Sequence, residues 1–285
     1  MKWTTLVSAE DLAAKLGEPG LVLVDCRHAL GDPDAGEAAW AQSHLPGAGH
    51  AHLERDLSRP GAPASEGRHP LPTAARFAAL LGRLGIRASD QVVAYDEQSG
   101  AMAAARFWWL LRQFGHERVA VLDGGLARWR ALGLPLDTRG PVPGPDYPGD
   151  FDASGQVDTQ DVLARLDDAP GWLLDARAPE RFRGDVEPLD PVAGHIPGAG
   201  NRPFTANLAE GRFLAPDVLR RQFVALMHGR QPAQVVLSCG SGVTACHNLL
   251  AMEHAGLHGA RIYPASWSGW VADRSRPVAT GDAPG

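Results

Sequence analysis

Cysteine is the side chain best suited to covalent catalysis at neutral pH, and the chain has three: Cys26, Cys239 and Cys246. Cys239 opens the run Cys239-Gly240-Ser241-Gly242-Val243-Thr244, which follows the apolar segment 235–238. Downstream, Cys246, Leu249, Leu250 and Glu253 recur at i, i+3, i+4 and i+7, and Gly256 suits a left-handed terminus. That spacing predicts a helix over 245–256 with one apolar face. The thiol therefore belongs to a tight curl between a strand and a helix N-terminus. Gly240 and Gly242 let the N–H groups of the curl, those of Val243 and Thr244 included, turn inward as an anion-binding nest reinforced by the helix. Such a ring favours S⁻ over S–H, so a nucleophilic thiolate is expected at its rim.

The other two cysteines read as packing residues. Cys246 falls on the inner face of the same helix, and no further cluster of ligands joins Cys246-His247 to make a metal site. Cys26 ends a strand whose counterpart later in the chain ends in Ala176.

That counterpart is one of four matched blocks. Leu21-Val22-Leu23-Val24-Asp25-Cys26-Arg27 is echoed by Trp172-Leu173-Leu174-Asp175-Ala176-Arg177, and His44-Leu45-Pro46-Gly47-Ala48 by His195-Ile196-Pro197-Gly198-Ala199. Val92-Val93-Ala94-Tyr95-Asp96 matches Val235-Val236-Leu237-Ser238-Cys239, and the segment ending at Trp129 matches that ending at Trp270. Short apolar strands alternate with helical periodicity in both halves, which predicts an α/β fold of two tandem domains, each a mainly parallel sheet flanked by helices. Their expected extents are 1–137 and 156–285, joined by a Pro/Gly-rich linker at 138–155. The copies differ at one chemical position, Asp96 against Cys239, so only the second copy can react through a thiol. Asp25/Arg27, Asp175/Arg177, His44 and His195 occur in both copies and are expected to hold the scaffold. Trp108, Trp109, Trp129, Trp267 and Trp270 are expected to fill cores.

Composition narrows the class. A net charge of −6 over 285 residues argues against a nucleic-acid or anionic-membrane partner. Three cysteines make no disulfide framework, and no apolar run reaches the length of a membrane span. The N-terminal segment lacks the apolar core of a secretory signal, and a cytoplasmic protein is expected.

The cysteine loop, the paired His-hydrophobe-Pro-Gly-Ala segments and the tandem duplication resemble the rhodanese superfamily, in particular its two-domain sulfurtransferases acting on 3-mercaptopyruvate or thiosulfate. The resemblance implies that Cys239 accepts a sulfur atom from a small-molecule donor and passes it as a persulfide to a thiol, to cyanide or to a thioredoxin-like acceptor. No cofactor is implied. The loop lacks the Arg and Lys that follow the cysteine in thiosulfate-preferring members and is similar to that of the mercaptopyruvate branch. There the resemblance groups Ser241 with His69 and an acid, Glu54 or Asp56, as a relay at the donor's carbonyl, and makes Arg181 the substrate arginine. Read on its own residues, Arg181 could instead pair with Glu180 or Asp185. A second arginine follows Glu-Pro in that branch, whereas Glu187-Pro188 is followed here by Leu189.

Two rival chemistries fail on spacing. A cysteine phosphatase needs Cys-x5-Arg, but six residues after Cys239 stands Ala245, and the loop does not fit the Gly-x-Ser-x-Gly of a serine hydrolase. A non-catalytic persulfide carrier remains as the alternative to an enzyme, distinguished by whether small donors and acceptors support multiple turnovers.

Overall fold

The computed structural model describes residues 2–97, 99–101 and 103–282. Along the first half run β1 (Leu6–Val7), α1 (Ala9–Ala13), β2 (Leu21–Asp25), α2 (Ala35–Gln42), β3 (Gly49–His50), α3 (Ala74–Arg83), β4 (Gln91–Tyr95), α4 (Ala104–Gln113), β5 (Val119–Leu122) and α5 (Gly125–Ala131). The second half carries α6 (Thr159–Leu163), β6 (Leu173–Asp175), α7 (Pro179–Arg183), β7 (Ala199–Asn201), β8 (Leu208–Ala209), β9 (Arg212–Phe213), α8 (Pro216–Leu226), β10 (Val236–Ser238), α9 (Thr244–His254), β11 (Arg261–Ile262) and α10 (Ser266–Trp270).

The chain divides into two compact units. The first holds the residues through Pro60, Leu71–Asp152 and Glu210–Phe213; the second holds Gly61–Pro70, Ala153–Ala209 and the residues from Leu214. In the first unit the strand order is β1-β5-β4-β2-β3, and every pairing is parallel. Each residue of the central β4 is buried, as a strand covered on both faces requires. The second unit repeats the pattern as β11-β10-β6-β7, again all parallel. Its fifth position is reduced to a single parallel bridge between Gln156 and Ile262.

The duplicated motifs do architectural work within each unit. Arg27 holds the Asp25 carboxylate at 2.7 Å and Arg177 holds Asp175 at 2.8 Å, both pairs almost fully buried. His44 joins the backbone oxygens of Trp40 and Arg139, while His195 joins that of Phe182 and stacks on its ring at 3.8 Å. Trp108, Trp109, Trp129, Trp267 and Trp270 are all at most 2% exposed. The proline-rich stretch after Asp137 is strapped to the first unit. Gly144 N donates to Gly82 O at 2.8 Å, Tyr147 N to Ala78 O at 3.2 Å, and Asp152 N to Gln113 O at 2.8 Å.

The helix after the cysteine loop ends as expected, with Leu257 N donating to Met252 O and Gly256 N to Glu253 O. Its burial does not follow the expected single face. Eight consecutive residues of α9, Ala245–Met252, are buried, because the helix packs on α8, β10 and β11 at once. This accounts for its mixed polar and apolar sequence: Asn207 Nδ2 donates to Asn248 Oδ1 at 2.7 Å and lies 3.1 Å from His247 Nδ1, while Asn248 Nδ2 donates to Arg202 O at 2.9 Å.

Candidate active site

Strand β10 ends at Ser238 and delivers Cys239 to the loop that precedes α9. Two bonds pin the loop to α10: Trp267 N donates to Cys239 O at 3.0 Å, and Ser268 N donates to Gly240 O at 2.9 Å. Ser266 Oγ accepts from Cys239 N at 3.1 Å. Gly242 adopts φ +75, which an L side chain resists, and its N–H then points back at Cys239 Sγ at 3.1 Å. A donor at that distance stabilises sulfur as an anion more than as a thiol. The N–H groups of Gly240, Ser241, Val243 and Thr244 meet no acceptor among the described residues. Of the expected nest, the Gly242 N–H is directed at the sulfur.

Cys239 is only 2% exposed, so the thiol lies on the floor of the loop and not at its rim. Two guanidinium groups crowd the residue beside it. A methyl group built on Gly240 would stand 3.1 Å from Arg68 Nη2 and 3.7 Å from both Nη1 and Nη2 of Arg181. The sequence alone gave no sign of this cover, because Arg68 is 171 positions away from Cys239.

The segment Gly61–Pro70 carries both Arg68 and His69 into the second unit. Gly67 makes this docking possible: with φ +86 and ψ 178 its backbone is accessible essentially to glycine alone, and a Cβ there would lie 2.5 Å from Ala265 O. Next to it, Arg68 N donates to Ser268 Oγ at 3.0 Å. His69 Nδ1 then reaches Ser241 Oγ at 2.7 Å, both residues being buried. Two of the expected relay residues thus meet. Glu54 and Asp56 belong to the first unit. There Glu54 N donates to His52 Nδ1, and the Asp56 carboxylate takes His52 N and Arg83 Nη2 at 2.9 and 2.6 Å.

Arg181 extends from α7 into a lattice of charge. Its Nη2 donates to Glu187 Oε1 at 2.6 Å and lies 3.4 Å from Asp190 Oδ2, while Nε donates to Glu187 Oε2 at 3.2 Å. Neither Glu180 nor Asp185, the partners its neighbourhood in sequence suggested, holds it; Asp185 pairs with Arg183. Arg68 Nη1 is hydrogen-bonded to Asp190 Oδ1. Behind them, Arg177 Nη1 sits 3.4 Å from Glu187, and its guanidinium lies 4.7 Å from the centroid of the Trp267 ring. Burial works against the Arg177 charge, yet its pKa is held above the usual arginine value by Asp175, Glu187 and the Cys239 sulfur. The Glu187 and Asp190 side chains are each 3% exposed, so their carboxylates are largely shielded from water. Asp190 carried no signal in the sequence, since a lone acid in a proline-rich loop is ordinarily solvated.

Comparison with known proteins now decides the family. The rhodanese-like domain description matches residues 8–132 and again 158–273. The chain belongs to the rhodanese-like family. Over 99% of its length it is 51% identical to a probable 3-mercaptopyruvate sulfurtransferase of Pseudomonas aeruginosa, covering all of that protein. It is 42% identical to the putative thiosulfate sulfurtransferase SseB of Mycobacterium tuberculosis, over 98% of each chain. The crystal structure of SseA from Escherichia coli superposes with a TM-score of 0.78 at 34% identity, covering 93% of this chain and 99% of that one.

The two rhodanese-like copies use their nests differently. In the first, the Asp96 carboxylate fills its own loop, accepting from Gly100 N at 2.9 Å, Ala103 N at 3.2 Å and Ala104 N at 3.3 Å. An internal anion at the start of α4 thus takes the place that sulfur holds before α9. Cys26, in the same unit, is fully buried, and desolvation together with Asp25, Asp96 and Asp56 pushes its thiol pKa well above the ordinary value. Cys246 Sγ is spent as a donor to Gly242 O at 3.3 Å. Among the described residues no group of His, Cys, Asp and Glu is arranged to hold a metal, and no helix is long and apolar enough to cross a membrane.

Proposed function

We propose that this rhodanese-like sulfurtransferase takes its sulfur from 3-mercaptopyruvate, carries it on Cys239 and yields it to a thiol, a thioredoxin-like protein or cyanide. The observation that supports the reading most is the Gly242 N–H that donates to Cys239 Sγ at 3.1 Å. The thiolate attacks the donor's sulfur; the S–S bond forms as the C–S bond breaks, and the electron pair leaves on the methylene carbon as the enolate of pyruvate. One proton completes pyruvate. Ser241 and His69, joined at 2.7 Å, are suited to polarise the donor's carbonyl and to deliver that proton. The persulfide then lies among the same amide donors that held the thiolate, and an acceptor thiolate attacks its outer sulfur to regenerate Cys239.

Thiosulfate as donor is the second reading, favoured by Leu189 where the mercaptopyruvate branch has an arginine. Against it, Gly240 and Ser241 offer no charge where thiosulfate-preferring members place Arg and Lys. A cytoplasmic setting is consistent with three cysteines that form no disulfide. The deciding experiment is intact-mass spectrometry after incubation with each donor, followed by peptide mapping and steady-state turnover. One added sulfur on Cys239 from mercaptopyruvate, lost in Cys239→Ala and kept in Cys246→Ala, is the expected result. Sulfur on another residue, or equal loss in both variants, contradicts it. Loading without turnover on small acceptors would make the protein a carrier.

A further inference from the structure

We infer that the second unit holds, apart from the Cys239 loop, a binding site for a small carboxylate whose apolar body is the size of one ring, seated in a cavity between α6 and the first residues of β10 and β11. The site goes beyond sulfur transfer and does not depend on which donor the enzyme uses.

The two copies differ where the cavity lies. Leu6 stands opposite Val121 in the first unit and Gln156 opposite Ile262 in the second, so Leu6 corresponds to Gln156 and Trp3 to Ala153. The helix caps keep the same register: Ser8 accepts from Asp11 N at the start of α1, and Asp158 from Asp161 N at the start of α6. One strand pair on, Val93 lies beside Ala120 and Val236 beside Arg261. The first unit packs Trp3 against a core that includes Leu12, Val93 and Ala120. The second has Ala153 for Trp3 and Arg261 for Ala120, so it loses a large apolar side chain and gains a cation. A cavity of about 150 Å³ lies at this place.

Its wall is apolar. Val157, Val162, Val236 and Trp172 line it, each at most 4% exposed. A volume of that size in apolar surroundings holds a single six-membered ring. Three charged residues also line it, and two of them are already engaged. Arg165 donates to Asp168 Oδ2 and Gln234 O, both at 2.9 Å, with its guanidinium 4.6 Å from the centroid of the Trp172 ring. The Asp161 carboxylate accepts from Asp158 N at 3.1 Å in the capping box. Arg261 has no such tie: its Nε is buried and meets no acceptor among the described residues, and none of their carboxylates pairs with its guanidinium. The fully buried Trp172 Nε1–H also finds no acceptor there.

A buried donor without an acceptor is costly, and most costly on a charged group. A carboxylate supplies what Arg261 lacks, in the planar two-bond geometry a guanidinium favours. The valines and the indole then take the apolar body, which an inorganic anion does not have. The active site is separate: Val236 and Arg261 open β10 and β11, whereas the Cys239 loop follows the far end of β10.

The test is calorimetric titration of the full-length protein with sodium benzoate. Two probes divide its features: benzamide keeps the ring without the charge, and acetate keeps the charge without the ring. Benzoate is expected to bind with a Kd at or below about 1 mM, and benzamide and acetate at least tenfold more weakly. Arg261→Ala should weaken benzoate at least tenfold. Ala153→Trp, which restores the tryptophan of the first copy, should abolish binding and raise the melting temperature. Arg181→Ala should leave the benzoate Kd within twofold, since the active site is not involved. No binding up to about 10 mM, or a Kd within twofold of the unsubstituted value in Arg261→Ala, would overturn the inference. So would acetate binding as tightly as benzoate, or affinity lost in Arg181→Ala and kept in Arg261→Ala, which would put the anion in the active site. Should Arg261→Ala melt at low temperature, Arg261→Gln decides by the same criterion.

Discussion

Replacing Gly67 by alanine tests whether the docking of the Gly61–Pro70 segment depends on close backbone approach. The residue sits at φ +86, ψ 178, a region essentially closed to L side chains, and holding alanine there costs roughly 1–3 kcal/mol. The added Cβ would also stand 2.5 Å from Ala265 O and 3.1 Å from Ser268 Oγ, and relieving such overlap costs about 1–3 kcal/mol more. If instead the segment lifts away, it gives up the Arg68 N to Ser268 bond, the His69–Ser241 bond and the Arg68–Asp190 pair. At about 1 kcal/mol for each neutral bond and 1.5–3 for the charged one, that route costs about 3.5–5 kcal/mol. The two routes overlap in cost, so Gly67→Ala is expected to lose about 3–5 kcal/mol of stability and, with His69 displaced, most of its turnover. Gly61→Ala is the control: its φ is +79, but nothing lies within 4 Å of the added methyl group, so only about 1–2 kcal/mol is at stake. Denaturant unfolding and mercaptopyruvate turnover are measured on both. A Gly67→Ala protein as stable and active as Gly61→Ala would refute the reasoning.

Two further outcomes follow from the first unit and from the buried histidines. Asp96→Ala strips a fully buried carboxylate from three N–H groups and leaves them unsatisfied, so a loss of about 3–5 kcal/mol is expected by denaturant unfolding; a change under 1 kcal/mol would mean that the carboxylate does not fill the loop. Burial holds the pKa values of His50, His116 and His254 below the free-histidine value. The unfolded chain therefore takes up protons near pH 6.5 that the folded chain refuses, and stability is present above that pH and lost as pH falls. Thermal melts should shift downward between pH 7 and 5, less steeply in His116→Gln; a rise on acidification contradicts the sign.

The duplicated blocks, the parallel α/β architecture and the cysteine loop were all legible in the chain, because each is written in local patterns. Apolar runs make strands, and a cysteine followed by two spaced glycines makes a nest whose geometry is set within six residues. Repetition itself separated scaffold from chemistry: Asp25, Asp175, His44 and His195 recur and are structural, while Cys239 does not recur. The burial of Cys239, the lattice of Glu187 and Asp190, and the place of Arg68 were decided only by the tertiary structure. Arg68 lies in the first half of the sequence yet belongs to the second unit, and no periodicity encodes such an exchange. The feature that permits it is Gly67, one glycine among 33, whose role becomes visible only when Ala265 O is found where its Cβ would be.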